Sequence, residues 1–587
     1  VLCDAAYEIR LYAFSYSVIL FPALAYAVLI CSGLYLVWES LDVSFLAFGI
    51  IFLMGMSSQG YLMRWMDGGA SQYSDFGGIV PVAQYVIYNR VFWTLTSLAA
   101  MLAGLLLMRR SACGLAGSVW RNSRTGVLPF LFATLVTAAI FLHRAEPYLD
   151  PHSSALETEL PVTTVVRLLE VESRLTLKTT ERRIEAEAKY TFAKESEAVG
   201  IGFVSNAGLA IESIDVNGSA RRWREIPKTD RFYVTLPEGD RAEMKVKYAG
   251  TIKVPRAGLF TGYVCAQSVY LLENSYWLLK PLTDYDATLD VSGSIIAPKR
   301  LTVVTPGRCT SVRKIGERQR EWSYEARTTS LNLGVFAAEY DVICKRAGEL
   351  DVEFYVSSRH MDAFRSTKLD EHSLEILDHY QAVVGPYPFE QWPLKVVEVP
   401  LYKPGGHSSL NVVTVAEYML YRRPPVTPTD EIQFLVHDLK LIGHELAHQW
   451  WGSGIEVAAQ GAWTCEGLAE YTVYRYFRDH HPKPVYDFIV RSWQTSVDGN
   501  RNSYYVRHPE VLEQMRPEFA RQVAAGSMAI DVYKTMPLKL LKAEEHLGTE
   551  AFLEKLSAVY VAHRRGELRF EEFLAETGLT EESLALE

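Results

Sequence analysis

The chain has 587 residues, 49% of them hydrophobic, and a formal net charge of −10 at pH 7. That length has room for several domains with large cores, and the acidic balance gives no reason to expect nucleic-acid binding. Seven cysteines, with no CxxC pair among Cys265, Cys309, Cys344 and Cys465, say little about redox compartment.

Hydrophobicity is concentrated at the start. Residues 1–143 hold four apolar stretches, approximately 11–38, 43–63, 85–108 and 127–143. A helix crosses a bilayer in roughly 17–25 residues, so the first three are long enough and the fourth is at the limit. Buried helices of a soluble domain would carry a charged face, which these lack. A cleavable signal peptide fits poorly, because there are several spans and no basic n-region. The loop after the third stretch carries Arg109, Arg110, Arg121 and Arg124 without an acid, which the positive-inside rule places in the cytoplasm. Residues 150–587 are then expected on the extracytoplasmic side. Arg64, Arg90, Asp67 and Asp75 are assigned to the outer loop between the second and third spans. The chain opens on Val1 and enters a span almost at once, which predicts more membrane protein ahead of it.

From about 160 to 347 the pattern changes to short alternating runs: Thr163 to Leu177, Ile184 to Phe192, Arg231 to Leu236, Glu243 to Tyr248 and Asp286 to Ile296. Turn chemistry separates them at Asn217-Gly218, Pro237-Glu238-Gly239 and Pro306-Gly307. An all-β sandwich or saddle is expected. Asn217-Gly218-Ser219 also fits a glycosylation sequon, though a hairpin turn accounts for it. An extracytoplasmic location would permit a disulfide such as Cys309 with Cys344, but spacing does not fix connectivity.

After about 350 the pattern becomes α/β. One helix is expected over Met361 to Val384, ending at Gly385-Pro386-Tyr387-Pro388. Strands follow at Leu394 to Val399 and Leu410 to Val415. Thr427-Pro428-Thr429-Asp430-Glu431 reads as a helix start, with a Thr cap, Pro at the first position and acids in the first turn. Ile432, Leu435, Val436, Leu439, Ile442 and Leu446 continue it at helical spacing to Trp450, where Gly452 and Gly454 stop it. A second helix is expected over about Thr464 to Arg478.

Within the first of these helices lies Gly443-His444-Glu445-Leu446-Ala447-His448-Gln449-Trp450-Trp451. Residues four apart share a helix face, so His444 and His448 can present two imidazoles to one point, as tetrahedral Zn²⁺ requires. Glu445 stands where a carboxylate can take a proton from activated water. Two His and a distant Glu leave one coordination position open, the pattern of a catalytic zinc. Cys465 reads as a small buried residue.

Together with Glu466-Gly467-Leu468-Ala469-Glu470-Tyr471, this stretch resembles the zinc signature of the M1 metallopeptidases, the gluzincins that include aminopeptidase N and leukotriene A4 hydrolase. The resemblance extends from Gly385-Pro386-Tyr387-Pro388-Phe389 to Tyr533. It implies one Zn²⁺ bound by His444, His448 and Glu466, with Glu445 as general base and Tyr533 stabilising the oxyanion. A phenol donor in that role is worth about 2.7–4 kcal/mol. Packing would account for Tyr533 equally well. Glu470, one turn beyond Glu466, is placed to hold the free nitrogen of a ligand His, or to stand in solvent as an ordinary helix carboxylate.

The implied architecture is multi-domain: transmembrane helices over 1–150, an all-β domain over 151–347, and a thermolysin-like α+β zinc peptidase domain over 348–587. The membrane segment resembles bacterial proteins that fuse an ABC-transporter permease to an M1-like domain, which implies a bacterial cell membrane and an ABC-type ATPase partner.

Two departures stand out. Seventeen residues separate His448 from Glu466 where the family usually has eighteen, which leaves Glu456 and Glu470 as alternative ligands. Where aminopeptidases carry Gly-x-Met-Glu-Asn, whose Glu grips the substrate ammonium, this chain reads Gly405-Gly406-His407-Ser408-Ser409. Gly405, Gly406 and His407 remain candidates for substrate contact, with His407 alternatively a solvent-facing edge residue. The expected activity is hydrolysis of peptides by a membrane-anchored zinc enzyme. The alternative is a permease component whose M1-like domain binds or senses without cleaving.

Overall fold

The computed structural model describes residues 9–57, 61–66, 80–109, 114–146, 149–150, 163–195, 197–227, 229–255, 262–329, 331, 333–400, 405–420, 428–457, 463–515 and 517–586. The Thr427 cap, Asp67, Asp75 and Arg110 lie outside the described residues. The chain forms two compact units. One comprises Val1–Val166, Thr176–Lys189 and Ala193–Asp284, the other Arg167–Leu175, Tyr190–Phe192 and Tyr285–Glu587.

Among the described residues of the first unit, three helices are long and apolar enough to cross a membrane: Tyr12–Trp38, Ala83–Leu107 and Val127–Arg144. The second apolar stretch is shorter than its composition suggested, because its helix ends at Ser57 and a tight 3₁₀ turn occupies Tyr61–Met63. The fourth, at the limit by sequence, is a full helix of 18 residues. Phe21–Trp38 and Val80–Leu107 meet at two glycines, where a Cβ on Gly104 would lie 2.4 Å from the carbonyl oxygen of Gly33. Small residues are what allow helix backbones to approach this closely.

Arg90 corrects an expectation. It sits not in a loop but inside the helix Val80–Leu107, buried, donating to the carbonyls of Val18, Trp65 and Met66 at 2.5–2.7 Å. Carbonyls left free by neighbouring turns satisfy its guanidinium, which is how a cation becomes tolerable among apolar helices.

Of the runs read from sequence, Arg231 to Leu236 is a strand with those bounds, and Glu243 to Tyr248 lies within Arg241–Gly250. Arg231–Leu236 pairs antiparallel with Val199–Val204, and Arg241–Gly250 with Leu209–Val216, two strands that the alternation did not mark. Asn217-Gly218 turns the chain with φ of 52° and 77°, the positive pair a type I′ hairpin needs, and Val216 then pairs with Ser219.

In the second unit an antiparallel set, residues 285–298 of the strand Thr283–Pro298 with Gln319–Thr328 and Arg308–Ile315, precedes a mixed five-stranded sheet. Its order is Tyr340–Ala347, Leu350–Ser357, Leu394–Val399, Val412–Ala416 and Gly406–Ser409, with the middle three parallel. Leu394–Val399, the central strand, is buried along its whole length, Lys395 and Glu398 included. The single helix expected from Met361 to Val384 is two helices, Met361–Thr367 and Leu369–Val383. Lys368 divides them, adopting the left-handed conformation at φ 52° that ends a helical turn. Leu369, Ile376, Leu377 and Tyr380 give the second helix a buried face against the core. Cys309 and Cys344 are free thiols, and so is Cys265.

Candidate metal centre

The helix carrying His444 begins at Pro428, where the sequence placed its start, but it is not uniform. Pro428–Gln433 is α-helical, Phe434–Leu439 widens into a π-helical turn, and Lys440–Ala447 returns to α. Lys440–Ala447 is pinned closely: a Cβ on Gly443 would come within 2.6 Å of Val473, and Tyr380 Oη donates to the Gly443 carbonyl at 2.9 Å. Trp450 Nε1 donates to Gly385 O at 2.9 Å, so the Gly385-Pro386-Tyr387-Pro388 turn anchors the helix end.

His444 and His448 lie one turn apart with ring centroids separated by 4.5 Å. Glu466 reaches both. Its Oε2 is 3.0 Å from His444 Nε2 and 3.3 Å from His448 Nε2, so three donor atoms converge on one point. The far nitrogens have partners of their own. His448 Nδ1 is 3.0 Å from Trp451 O and 3.2 Å from Cys465 Sγ. His444 Nδ1 lies 3.2 Å from Glu470 Oε1, at ion-pair distance though not aligned as a hydrogen bond. Both rings therefore turn Nε2 inward, the orientation that partners at Nδ1 impose on ligand histidines.

Glu466 sits in a second π-helical turn, Trp463–Gly467, ahead of the helix Leu468–His480. The wide turn steps Glu466 out of the register of Glu470, and the two carboxylates meet opposite nitrogens of the same ring. Glu470 is further held by Lys440 Nζ at 2.6 and 2.7 Å and by Trp493 Nε1 at 3.1 Å. Burial opposes its charge, but Lys440 and His444 outweigh burial and hold its pKa below the ordinary carboxylate range. Glu466 behaves likewise through its two histidines. Glu456 stands apart from the cluster, in a short strand paired with Glu567–Leu568. Two imidazole nitrogens and one carboxylate, with no fourth protein donor grouped with them among the described residues, suit a divalent zinc ion with an open position.

A cavity of about 550 Å³ opens beside this cluster, lined among others by Gly405, Gly406, His444, Glu445, Glu470 and Tyr533. Glu445 is 7% exposed and packs against the edge strand Gly406–Ser409. A Cβ on Gly406 would lie 2.4 Å from Glu445 Cγ and 2.9 Å from its Oε1. Gly406→Ala is therefore expected to push the carboxylate from its place and lower peptide hydrolysis at least tenfold, leaving metal content unchanged. Parallel activity and metal assays would detect it. Tyr533 lies in a third π-helical turn, Asp531–Thr535, its ring stacked 5.8 Å from that of His444. Burial, with Glu466 next, raises its pKa far above the ordinary phenol value and keeps it a proton donor.

Side chains alternate along the edge strand. Gly406 meets Glu445, and Ser408 accepts a hydrogen bond from Gln449 Nε2 at 2.7 Å, so His407 takes the opposite direction. It is half-buried and, unlike Gly405 and Gly406, is not among the cavity-lining residues. Gln449 is fully buried and also accepts from Tyr387 Oη at 3.2 Å, so the Ser408 hydroxyl is committed to the fold. Cys465 differs from expectation too. It is half-buried, and its sulfur touches the His448 imidazole through space left by Gly452, whose φ is 110° and whose Cβ would lie 2.6 Å from Sγ.

Lys440 and Trp493 were absent from the sequence reading. Lys440 lies four residues before His444, and that spacing could have revealed it; nothing local marks Trp493.

Residues 368–576 match the family model of the Peptidase family M1 domain. No curated protein matches the chain. Among solved structures, the M1 zinc metallopeptidase from Deinococcus radiodurans is similar at 17% identity and a TM-score of 0.53, covering 72% of this chain and 93% of that one. A mutant of that enzyme bound to a Tyr-Ser-Ala substrate aligns at 16% identity and a TM-score of 0.52, over 71% and 93%. At these identities the likeness is one of fold.

Proposed function

We propose that the chain is a membrane-anchored zinc metallopeptidase that hydrolyses peptide bonds, with its catalytic domain on the extracytoplasmic side of a bacterial cell membrane. The observation that carries this reading is the convergence of His444 Nε2, His448 Nε2 and Glu466 Oε2 beside a cavity lined by Glu445 and Tyr533. The M1 domain match and the related fold support it.

His444, His448 and Glu466 would hold one Zn²⁺. When bound, it supplies Lewis acidity, lowering the pKa of water toward neutrality and polarising a carbonyl. Glu445 takes the proton of the attacking water on its carboxylate and delivers it to the departing amine. The Tyr533 hydroxyl donates to the oxygen on which negative charge develops. Glu470, itself held by Lys440 and Trp493, fixes the His444 ring so that Nε2 stays aimed inward. The bilayer is the partner of the apolar helices.

The substrate end of the cleft differs from that of an aminopeptidase. Ser408 stands where the resemblance places the ammonium-binding Glu, and its hydroxyl is bonded to Gln449. A free N-terminal ammonium loses its main counter-charge there, so N-terminally blocked peptides should be cleaved at least as well as free ones. Rates on matched free and acetylated peptides test this. A preference of tenfold or more for the free amine would overturn it.

The same altered loop favours a second reading, in which the spans form a permease working with an ABC-type ATPase and the M1-like domain binds peptides without cleaving them. Copurification of an ATP-binding subunit, with no cleavage by the zinc-loaded chain, would select it.

A further inference from the structure

We propose that His379 and His480 form a second binding site, for a divalent ion of the zinc or copper kind, sharing no residue with the centre around His444 and independent of the hydrolytic reading. His379 Nδ1 and His480 Nε2 face each other at 3.2 Å. Two imidazoles on one tetrahedral ion, with Zn–N bonds of about 2.0–2.1 Å, hold their nitrogens about 3.3–3.4 Å apart. The two rings cross at 84° with centroids 5.0 Å apart, close to the 83° and 4.5 Å of His444 and His448.

His379 has the surroundings of a ligand histidine. Its side chain is 7% exposed, and its other nitrogen, Nε2, lies 3.8 Å from Asp479 Oδ2 without a hydrogen-bond partner. Arg475 fixes that carboxylate by donating to both of its oxygens, at 2.9 and 2.6 Å. A carboxylate behind Nε2 favours the proton there and leaves the Nδ1 lone pair aimed at His480, the order carboxylate, histidine, metal. Burial, against the pull of Asp479, pushes the His379 pKa down to about 4, so at neutral pH no second proton occupies that lone pair. His480 Nε2 then carries the hydrogen that bridges the rings. By shifting this proton to its own Nδ1, His480 offers Nε2 to the metal as well.

The pair is open to ions from one side. His480 is exposed at the end of the helix Leu468–His480, its ring stacked on Tyr476 at 4.7 Å. Glu375 lies one turn before His379 on the helix Leu369–Val383, 63% exposed and hydrogen-bonded to the Tyr476 hydroxyl. Residues four apart share a helix face, so rotation of this side chain supplies a third donor, with water filling the rest. Imidazole donors suit zinc and copper among the divalent ions.

Such an ion would tie Leu369–Val383 to Leu468–His480. The first supplies Tyr380, which donates to Gly443 O, and the second supplies Glu470, which faces His444. Both therefore brace the helix that carries His444, and the ion would stiffen that bracing from outside.

The test uses the full chain in detergent, free of any polyhistidine tag, with His444→Ala/His448→Ala removing the first centre. One equivalent of Cu²⁺ should give an electron paramagnetic resonance spectrum coupled to two imidazole nitrogens. His480→Asn, at an exposed position, should weaken Cu²⁺ binding at least about tenfold and leave coupling to one nitrogen at most. Failure of Cu²⁺ to bind, or a spectrum or affinity unchanged by His480→Asn, would overturn the proposal. Should the double variant fail to fold, metal-stripped wild type reloaded with Zn²⁺ should hold two equivalents and His480→Asn alone one, and equal counts would overturn it.

Discussion

Glu445→Gln is expected to lower kcat/KM for peptides by about 10²–10⁴, the contribution of a positioned general base. The amide keeps the length and shape of the carboxylate, so the packing against Gly406 survives, as does the helix that presents His444 and His448. What is lost is the ability to accept a proton. Bound metal should stay at the wild-type level, and substrate binding should change far less than turnover. That separation identifies a proton acceptor, whereas a folding defect would lower all three together. Undiminished cleavage by the Gln variant would remove Glu445 from the mechanism.

The second large effect is expected at Glu466. Among the described residues it is the carboxylate that meets the inward nitrogens of both imidazoles, at 3.0 and 3.3 Å. Partners beyond the ligands themselves typically contribute 10–100-fold to metal affinity, so a lost ligand should exceed about 100-fold. Glu466→Gln should therefore release zinc to a chelator that wild type resists, and hydrolysis should vanish at ordinary zinc concentrations. Excess zinc should restore part of the activity, because Glu445 and Tyr533 remain in place. Wild-type zinc affinity in this variant would transfer the ligand role elsewhere.

Much of this was legible in the sequence, for identifiable reasons. Helical spacing alone puts His444 over His448 and predicts the helix beginning at Pro428. Period-two alternation marked Arg231 to Leu236, and the apolar segment Leu394 to Val399 read as a strand; both have the bounds that the strands adopt. Features set by contact between distant residues were not legible. Nothing near Lys368 announces a left-handed residue, and the break follows from how two helices pack. Trp493 reaches Glu470 across 23 positions, and Gln449 reaches Ser408 across 41. Arg90 looked like a loop cation because the carbonyls that receive it come from other parts of the chain. The altered Gly405–Ser409 loop was visible in sequence, but the commitment of Ser408 to Gln449 required coordinates.

The three widened turns bear on how such sites are recognised. A π-helical turn is an α turn with one residue more, and one residue in a helix is worth about 100° of rotation and 1.5 Å of rise. A homologue lacking only the counterpart of Gly467 would keep both histidines and both glutamates and still score as bearing the signature. Its Glu466 counterpart would nevertheless swing to another face of the helix. Pattern matching counts residue types, whereas the metal responds to angular phase. Loss of activity by a silent slip of register is therefore a route open to relatives whose motifs look intact.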